Sequence, residues 1–328
     1  MTGAYRAGME LLAAALVAAI VFVSGAWGAL ALWYHGSRLA LGAYLIAVVA
    51  CIAAIVLFGH AWPLVAWGLV LLSLLGWWWR IAPSNDRDWA DDVARTLTGR
   101  IDGDMAQLSH VRDFRWTSED TYQVRWTNPS YDLSRLQHAD AIVSYWGLRS
   151  IAHAMVSFAF DDGRHLVFSV EIRKKRGQAF SAIGGFFKQY EMILIAATEP
   201  DIIGVRTNMR MEDTYLLPLN AHADTLRSLF VAYVDAANRL AARPEWYNTI
   251  TSNCTTLVYR MARRLNPGLP MDIRLLATGY LPEYLRDAGA VDAPDGVEKL
   301  RQRSAISERA RAAGLDGDFS AAIRTPVG

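Results

Sequence analysis

Cys254 is the residue whose type and surroundings best suit covalent chemistry. It stands in Ser252-Asn253-Cys254-Thr255-Thr256, polar on both sides, and an apolar helical stripe (Leu257, Val258, Met261, Ala262, Leu265) begins only after it. Ser252 or Asn253 is a good N-cap, so the spacing predicts Cys254 in the first turn of a helix that Asn266-Pro267-Gly268 ends. Unpaired N–H groups and the helix dipole at that point favour a thiolate, and the same N–H groups can hold an oxyanion. The bland alternative is a small buried hydrophobe. The polar neighbours favour the nucleophile.

A nucleophilic cysteine needs a base, usually histidine. Of the seven histidines, His35 and His60 fall in loops between apolar runs, and His110, His138 and His222 have no clear geometry. His165 opens a return strand near a turn. His153 is the best candidate, at the start of a β-rich run. Ala152–Phe160 and His165–Arg173 flank Asp161-Asp162-Gly163 and read as a hairpin. Val156, Phe158 and Phe160 share one face, with His153, Met155 and Ser157 on the other. If the turn centres on Asp162, paired residue numbers sum to about 324, which sets Glu171 opposite His153. A carboxylate there would orient the imidazole and stabilise the imidazolium. Otherwise Glu171 pairs with Arg173 or Arg125 on a solvated face. Asn253, Arg206, Arg210 and Arg173 are candidates for substrate or oxyanion binding, surface ion pairs being the plain alternative for the arginines. Lys174-Lys175-Arg176 is either a lipid-headgroup contact or a solvated turn.

These residues must be carried by some scaffold. The 328-residue chain has net charge +1 and is 53% hydrophobic, the excess lying before residue 83. Leu11–Trp33, Leu39–Phe58 and Ala61–Trp79 are each about 20 residues without a charge, enough to cross a bilayer. Trp33, Tyr34 and the run Trp77-Trp78-Trp79-Arg80 suit interface anchors. Three spans are expected, with a re-entrant pair joined by Gly59 and His60 as the alternative. Arg6, Arg38 and Arg80 leave the positive-inside count nearly tied. Three spans with a short internal N-tail would put the large domain outside the cytoplasm. Cys51 sits in the second apolar run, so a disulfide with Cys254 is not expected.

After a polar connector (83 to about 100, with Trp89, Val93 and Leu97 at helical spacing), strands are expected at Val111–Trp116 and Thr121–Trp126, and a helix or loop at Leu133–Trp146. Further strands are expected at Met192–Ala197, Val205–Met211 and Thr214–Leu219. Helices return at Ala223–Ala242 and from Cys254. The fold class is α+β, an antiparallel sheet packed on helices. The expected divisions are a membrane domain (1–82), a catalytic domain (83–300) and a charged tail (301–328). No zinc spacing, P-loop, dinucleotide fingerprint or nucleic-acid motif occurs, and no cofactor is expected.

Five blocks in order, Val111-Arg-Asp-Phe-Arg-Trp, Ile151-Ala-His-Ala-Met-Val-Ser-Phe, Ser169-Val-Glu-Ile-Arg, Val205-Arg-Thr-Asn-Met-Arg and Tyr247-Asn-Thr-Ile-Thr-Ser-Asn-Cys-Thr-Thr, resemble the DUF4105 family over roughly residues 85–290. That family is similar to circularly permuted papain-like NlpC/P60 thiol enzymes, in which the histidine strand precedes the cysteine helix, as His153 precedes Cys254. Its members include a lipoprotein N-acyltransferase. The resemblance implies Cys254 as nucleophile, His153 as base and Glu171 as third member. It also implies a membrane phospholipid as acyl donor and a lipoprotein N-terminus as acceptor, at the outer face of a bacterial inner membrane. The alternative is a membrane-tethered cysteine peptidase or amidase acting on cell-wall peptide. A third reading is a non-catalytic module with Cys254 merely packed.

Overall fold

The structure, a computed structural model, describes residues 2–59 and 61–325. The chain divides into two compact units: residues up to Pro83 together with Ser181–Gln189, and Ser84–Phe180 together with the chain from Tyr190 onward.

The first unit is built on α1 (Thr2–His35), α2 (Arg38–Phe58) and α3 (Ala61–Arg80). Over Gly8–His35, Arg38–Phe58 and Trp62–Arg80 these helices are long and apolar enough to span a membrane. They are apolar all round, as lipid-facing helices are. Val21, Tyr44, Ile55 and Trp67 pack inward, while Leu11, Phe22, Ile46 and Val56 stay exposed. Small residues bring the helices together: a methyl group on Gly28 would collide with the Tyr44 hydroxyl. Trp67 Nε1 donates to Ser24 Oγ at 2.9 Å. Ser37 caps α2 by accepting from the Ala40 N–H. His60, on which the re-entrant alternative turned, lies outside the described residues.

The tryptophan run at the end of α3, with Tyr34 of α1, receives Ser181–Gln189. Phe187 stacks on Tyr34 at 5.7 Å. Lys188 Nζ donates to the Trp78 carbonyl at 2.7 Å and lies 4.8 Å from the centre of the Trp78 ring.

The second unit holds a seven-stranded mixed sheet: β1 (Val111–Arg112), β2 (Trp126–Thr127), β3 (Leu136–Tyr145), β4 (Ala152–Phe160), β5 (His165–Arg173), β6 (Glu191–Ala197) and β7 (Asp213–Pro218). Their spatial order is β7-β3-β4-β5-β6-β1-β2, antiparallel except for the β6–β1 pair. A smaller sheet joins Thr98–Asp102, Met105–Ser109 and Ser130–Asp132. The principal helices are α4 (Ala223–Ala242), α5 (Cys254–Leu265) and α6 (Leu281–Asp287).

Both faces of the sheet are covered. On one, Val156, Phe158 and Phe168 pack against Phe230 and Tyr233 of α4. On the other, Met155, Val167 and Ile193 pack against Ile202, Ile306 and Phe319. The charged C-terminal stretch is therefore built into the domain: Ile306, Phe319 and Ile323 are core, and Arg324 reaches Glu199 and Asp140 at 2.7 and 2.8 Å.

Three local expectations need correction. Leu136–Tyr145 is a strand, with a bulge between Leu136 and His138, where a helix or loop was expected. It lies between β7 and β4 and is buried on both faces, so it shows no clean alternation. Val205–Met209 is a π-helical turn, where alternation suggested a strand. The connector forms only a 3-10 turn at Asp91–Val93 before the strand at Thr98–Asp102, although Trp89, Val93 and Leu97 are all buried.

Candidate active site

Cys254 is the first residue of α5. Asn253 caps the helix, its Oδ1 accepting from the N–H groups of Thr255 and Thr256 at 3.0 and 2.9 Å. Thr256 Oγ1 accepts from the Asn253 N–H at 2.8 Å, which completes a capping box. Upstream, Asn248 Oδ1 accepts from the N–H groups of Ile250 and Thr251 and fixes the turn that delivers the cap. As a first-turn residue Cys254 has a backbone N–H with no intrahelical acceptor.

His153 enters from β4. The hairpin register is the expected one: His165 pairs with Ala159, Leu166 with Phe158 and Ser169 with Met155, each summing to 324. Two residues beyond the last of these pairs, the Glu171 carboxylate comes within reach of the imidazole. His153 Nε2 lies 3.1 Å from Glu171 Oε1 and 2.7 Å from Ser169 Oγ. Ser169 Oγ donates to the same Oε1 at 2.7 Å, and Arg206 Nη2 donates to it at 3.0 Å. Cys254 lies close enough for its sulfur to interact with the His153 imidazole.

The electrostatics follow from this chain of charges. Burial alone would push the His153 imidazolium toward neutrality. The Glu171 charge and hydrogen bonds to Cys254 and Glu171 overcome it and raise its pKa to about 9. Burial would likewise raise the Cys254 thiol, but the hydrogen bond and charge of His153, then the Ala154 N–H and Thr255, hold it below its ordinary value. For Glu171 burial opposes ionisation, yet the charges of His153 and Arg206 and hydrogen bonds from His153 and Ser169 hold it well below the usual carboxylate range. Both shifts, the imidazolium up and the thiol down, favour the thiolate–imidazolium pair over the neutral pair.

Cys254, His153, Glu171, Arg206, Arg210 and Tyr247 line a cavity of about 530 Å³. Arg210 pairs there with Glu119 at 3.4 Å. Two other candidates serve structure. The Asn253 amide gives its hydrogens to the cap region, Nδ2 donating to the Thr249 carbonyl at 2.8 Å. Arg173 is buried away from the thiol. It donates to the carbonyls of Val93 and Ala94 and to Asn85 Oδ1, and its guanidinium lies over Trp89. Ser169 and the tie from Arg206 to Glu171 were not anticipated. Ser169 was accessible to the same argument as Glu171, since residues two apart share a strand face. Among the described residues no group of three or more His, Cys, Asp or Glu side chains is set to hold a metal ion.

The fold and site together define a class: an α+β domain, preceded by three candidate membrane spans, whose helix-capped cysteine faces a strand-borne histidine and carboxylate. Residues 122–279 match the family model described as the Lnb N-terminal periplasmic domain. The match takes in His153, Ser169, Glu171, Arg206 and Cys254, and four of the five sequence blocks; Val111–Trp116 lies just before it. No curated protein and no solved structure matches the chain.

Proposed function

We propose that this chain is a lipoprotein N-acyltransferase of the permuted papain-like type. In this reading Cys254 carries an acyl group from a membrane phospholipid to the α-amine of a diacylglyceryl-cysteine lipoprotein. The observation that carries the reading is the Cys254–His153–Glu171 arrangement at a helix start in a chain with three candidate spans. The likeness to the DUF4105 family and the match to a domain described as periplasmic support it, and favour the extracytoplasmic face of a bacterial inner membrane.

The Cys254 sulfur attacks the ester carbonyl carbon, forming a C–S bond while the Cys254 N–H faces the oxyanion. The C–O bond to glycerol then breaks, and the His153 imidazolium protonates the departing alkoxide, leaving a thioester and a neutral imidazole. The lipoprotein amine attacks that thioester; a C–N bond forms, the C–S bond breaks, and His153 takes the amine proton. The thiolate–imidazolium pair is restored. Glu171 holds the imidazole in place through both transfers. Both substrates reside in the bilayer, so a membrane-anchored enzyme meets them at high effective concentration.

The test is the intact mass of purified protein incubated with phospholipid vesicles, beside Cys254→Ser. A gain of one acyl chain in wild type, absent from the variant and discharged by a diacylglyceryl-cysteine peptide, is the expected result. A second reading, a membrane-tethered thiol peptidase or amidase, draws on the polar side chains of the catalytic cavity, Arg210 and Glu119 among them. Fast alkylation of Cys254 with no acyl adduct, and cleavage of cell-wall peptide, would decide for it.

A further inference from the structure

A second cavity in the catalytic domain, of about 260 Å³, is walled by apolar side chains from the sheet, α4, α5 and the segment through α6. Met155, Leu226, Leu229, Val258, Ala262 and Leu285 are representative. At one end its wall includes Ala154 and Thr255, the residues that directly follow His153 and Cys254. Thr255 Oγ1 lies 3.8 Å from the Cys254 sulfur and is held by Thr278 Oγ1 at 2.8 Å. Leu265, which also lines the cavity, is partly exposed, and beside the lining residues Leu269 and Leu275 stand Met271 and Ile273, 75% and 73% exposed. The apolar wall thus takes in residues next to the His153–Cys254 pair and residues whose chain neighbours are exposed apolar side chains.

A dry apolar void of this size weakens a domain unless something fills it, and such voids take apolar guests. The catalytic cavity, by contrast, mixes apolar side chains such as Trp116, Trp146 and Phe180 with the charged Arg206, Arg210, Glu119 and Glu212. At roughly 30 Å³ per water-sized group the apolar cavity has room for about eight methylenes.

We propose that this cavity holds the hydrocarbon chain of the ester-linked acyl donor, with the carbonyl carbon at Cys254 and the distal carbons leaving past Leu265, Met271 and Ile273. The polar cavity is then left for the headgroup side of the donor and for the acceptor amine. This rests on the acyl-transfer reading above and adds to it the binding site that selects chain length.

The experiment measures thioester formation on the full-length protein in detergent by intact mass, using 4-nitrophenyl butanoate and 4-nitrophenyl dodecanoate. Wild type, Ala262→Val, Ala262→Phe and Leu285→Trp are compared. Each buried methylene strengthens binding about fourfold, so wild type is expected to prefer the dodecanoate strongly. Filling the cavity should cut the dodecanoate-to-butanoate ratio about tenfold or more in Ala262→Phe and Leu285→Trp, with Ala262→Val between. The ratio is internal to each variant, and the small step to valine reads it even if a bulky replacement disturbs folding. An unchanged ratio in Ala262→Val and in the bulky variants that fold would overturn the cavity assignment while leaving acyl transfer intact. A wild type acylated by neither ester, though Cys254 alkylates quickly, would remove the acyl-transfer reading itself and this site with it.

Discussion

Replacing Glu171 by Gln tests the electrostatic chain with the least change of shape. The amide oxygen can still accept from Ser169 and Arg206, so the Oε1 contacts at 2.7 and 3.0 Å have a counterpart in the variant. What disappears is the charge, the principal influence raising the imidazolium pKa against burial. At pH 7.5 an imidazole with a pKa of about 9 is about 97% protonated; returned to its ordinary 6.5 it is about 9% protonated. Ion-pair population then falls about tenfold, and the rate of Cys254 alkylation and of acylation should fall by about the same factor. Burial would lower the imidazole further while the hydrogen bond and charge of Cys254 would still raise it, so about tenfold is the expected size. The assay is the pH dependence of iodoacetamide alkylation, followed by intact mass, with acylation measured in parallel. Wild-type acylation should rise as the thiol ionises and decline as pH passes about 9. The variant should lose that alkaline limit and react with iodoacetamide only as pH approaches or exceeds the ordinary thiol range. Linkage gives an independent reading. The depressed Glu171 contributes stability above its ordinary 4.5 that is lost as pH falls, and the raised His153 contributes stability below 6.5 that is lost as pH rises through about 9. Glu171→Gln should therefore flatten the pH dependence of thermal stability on both sides. Wild-type alkylation at pH 6–7 in a folded Glu171→Gln protein would refute the ion-pair account.

Two further substitutions probe the supports. Asn253→Ala removes the cap that orients the first turn of α5 and should cost about 1 kcal/mol, read by thermal unfolding, while slowing Cys254 alkylation at neutral pH; unchanged alkylation would show that the cap does not tune the thiol. Arg112→Met breaks a buried pair with Asp201, whose carboxylate also accepts from the Phe114 N–H and Trp116 Nε1. That leaves a buried charge without its partner and should cost about 3–5 kcal/mol in urea unfolding; a loss under 1 kcal/mol would contradict it.

The parts of the site that could be read from the chain are those set by short-range rules. The hairpin bounds and its 324 register follow from alternation around Asp161-Asp162-Gly163, and the cap follows from polar residues ahead of an apolar stripe. What could not be read depends on long-range packing. Leu136–Tyr145 is a strand because β7 and β4 flank it, a fact no window of its own sequence contains. Val-Arg-Thr-Asn-Met alternates like a strand, yet Arg210 N–H closes a π-turn on the Val205 carbonyl. That turn presents Arg206 to Glu171, and inserted turns of this type recur at functional sites. Nothing in the periodicity encodes it. Arg173, a candidate for substrate or oxyanion binding two residues from Glu171 on β5, turns its guanidinium instead to the carbonyls of Val93 and Ala94.

The order of the charges explains why so buried a site can stay ionised. Arg206, Glu171, His153 and Cys254 alternate in sign along one line of contacts, plus, minus, plus, minus, and the set is neutral as a whole. Each interior member has an opposite charge on both sides; at the ends Cys254 has His153, and Arg206 also stands 4.0 Å from the buried Glu212 carboxylate. A buried charge deprived of its counterion is far more costly than an intact pair, so the interior positions are those where one replacement takes the nearest partner from two charges at once. Removing Glu171 leaves His153 without its carboxylate and Arg206 with only the more distant Glu212; removing Arg206 leaves Glu171 still compensated by His153. The asymmetry also has a chemical use. In the acyl transfer proposed above, acylation of Cys254 would remove its negative charge as His153 gives up its proton, so the two losses cancel. In that proposed cycle the line of contacts shortens from four charges to two during acylation and lengthens again during deacylation, with its net charge unchanged.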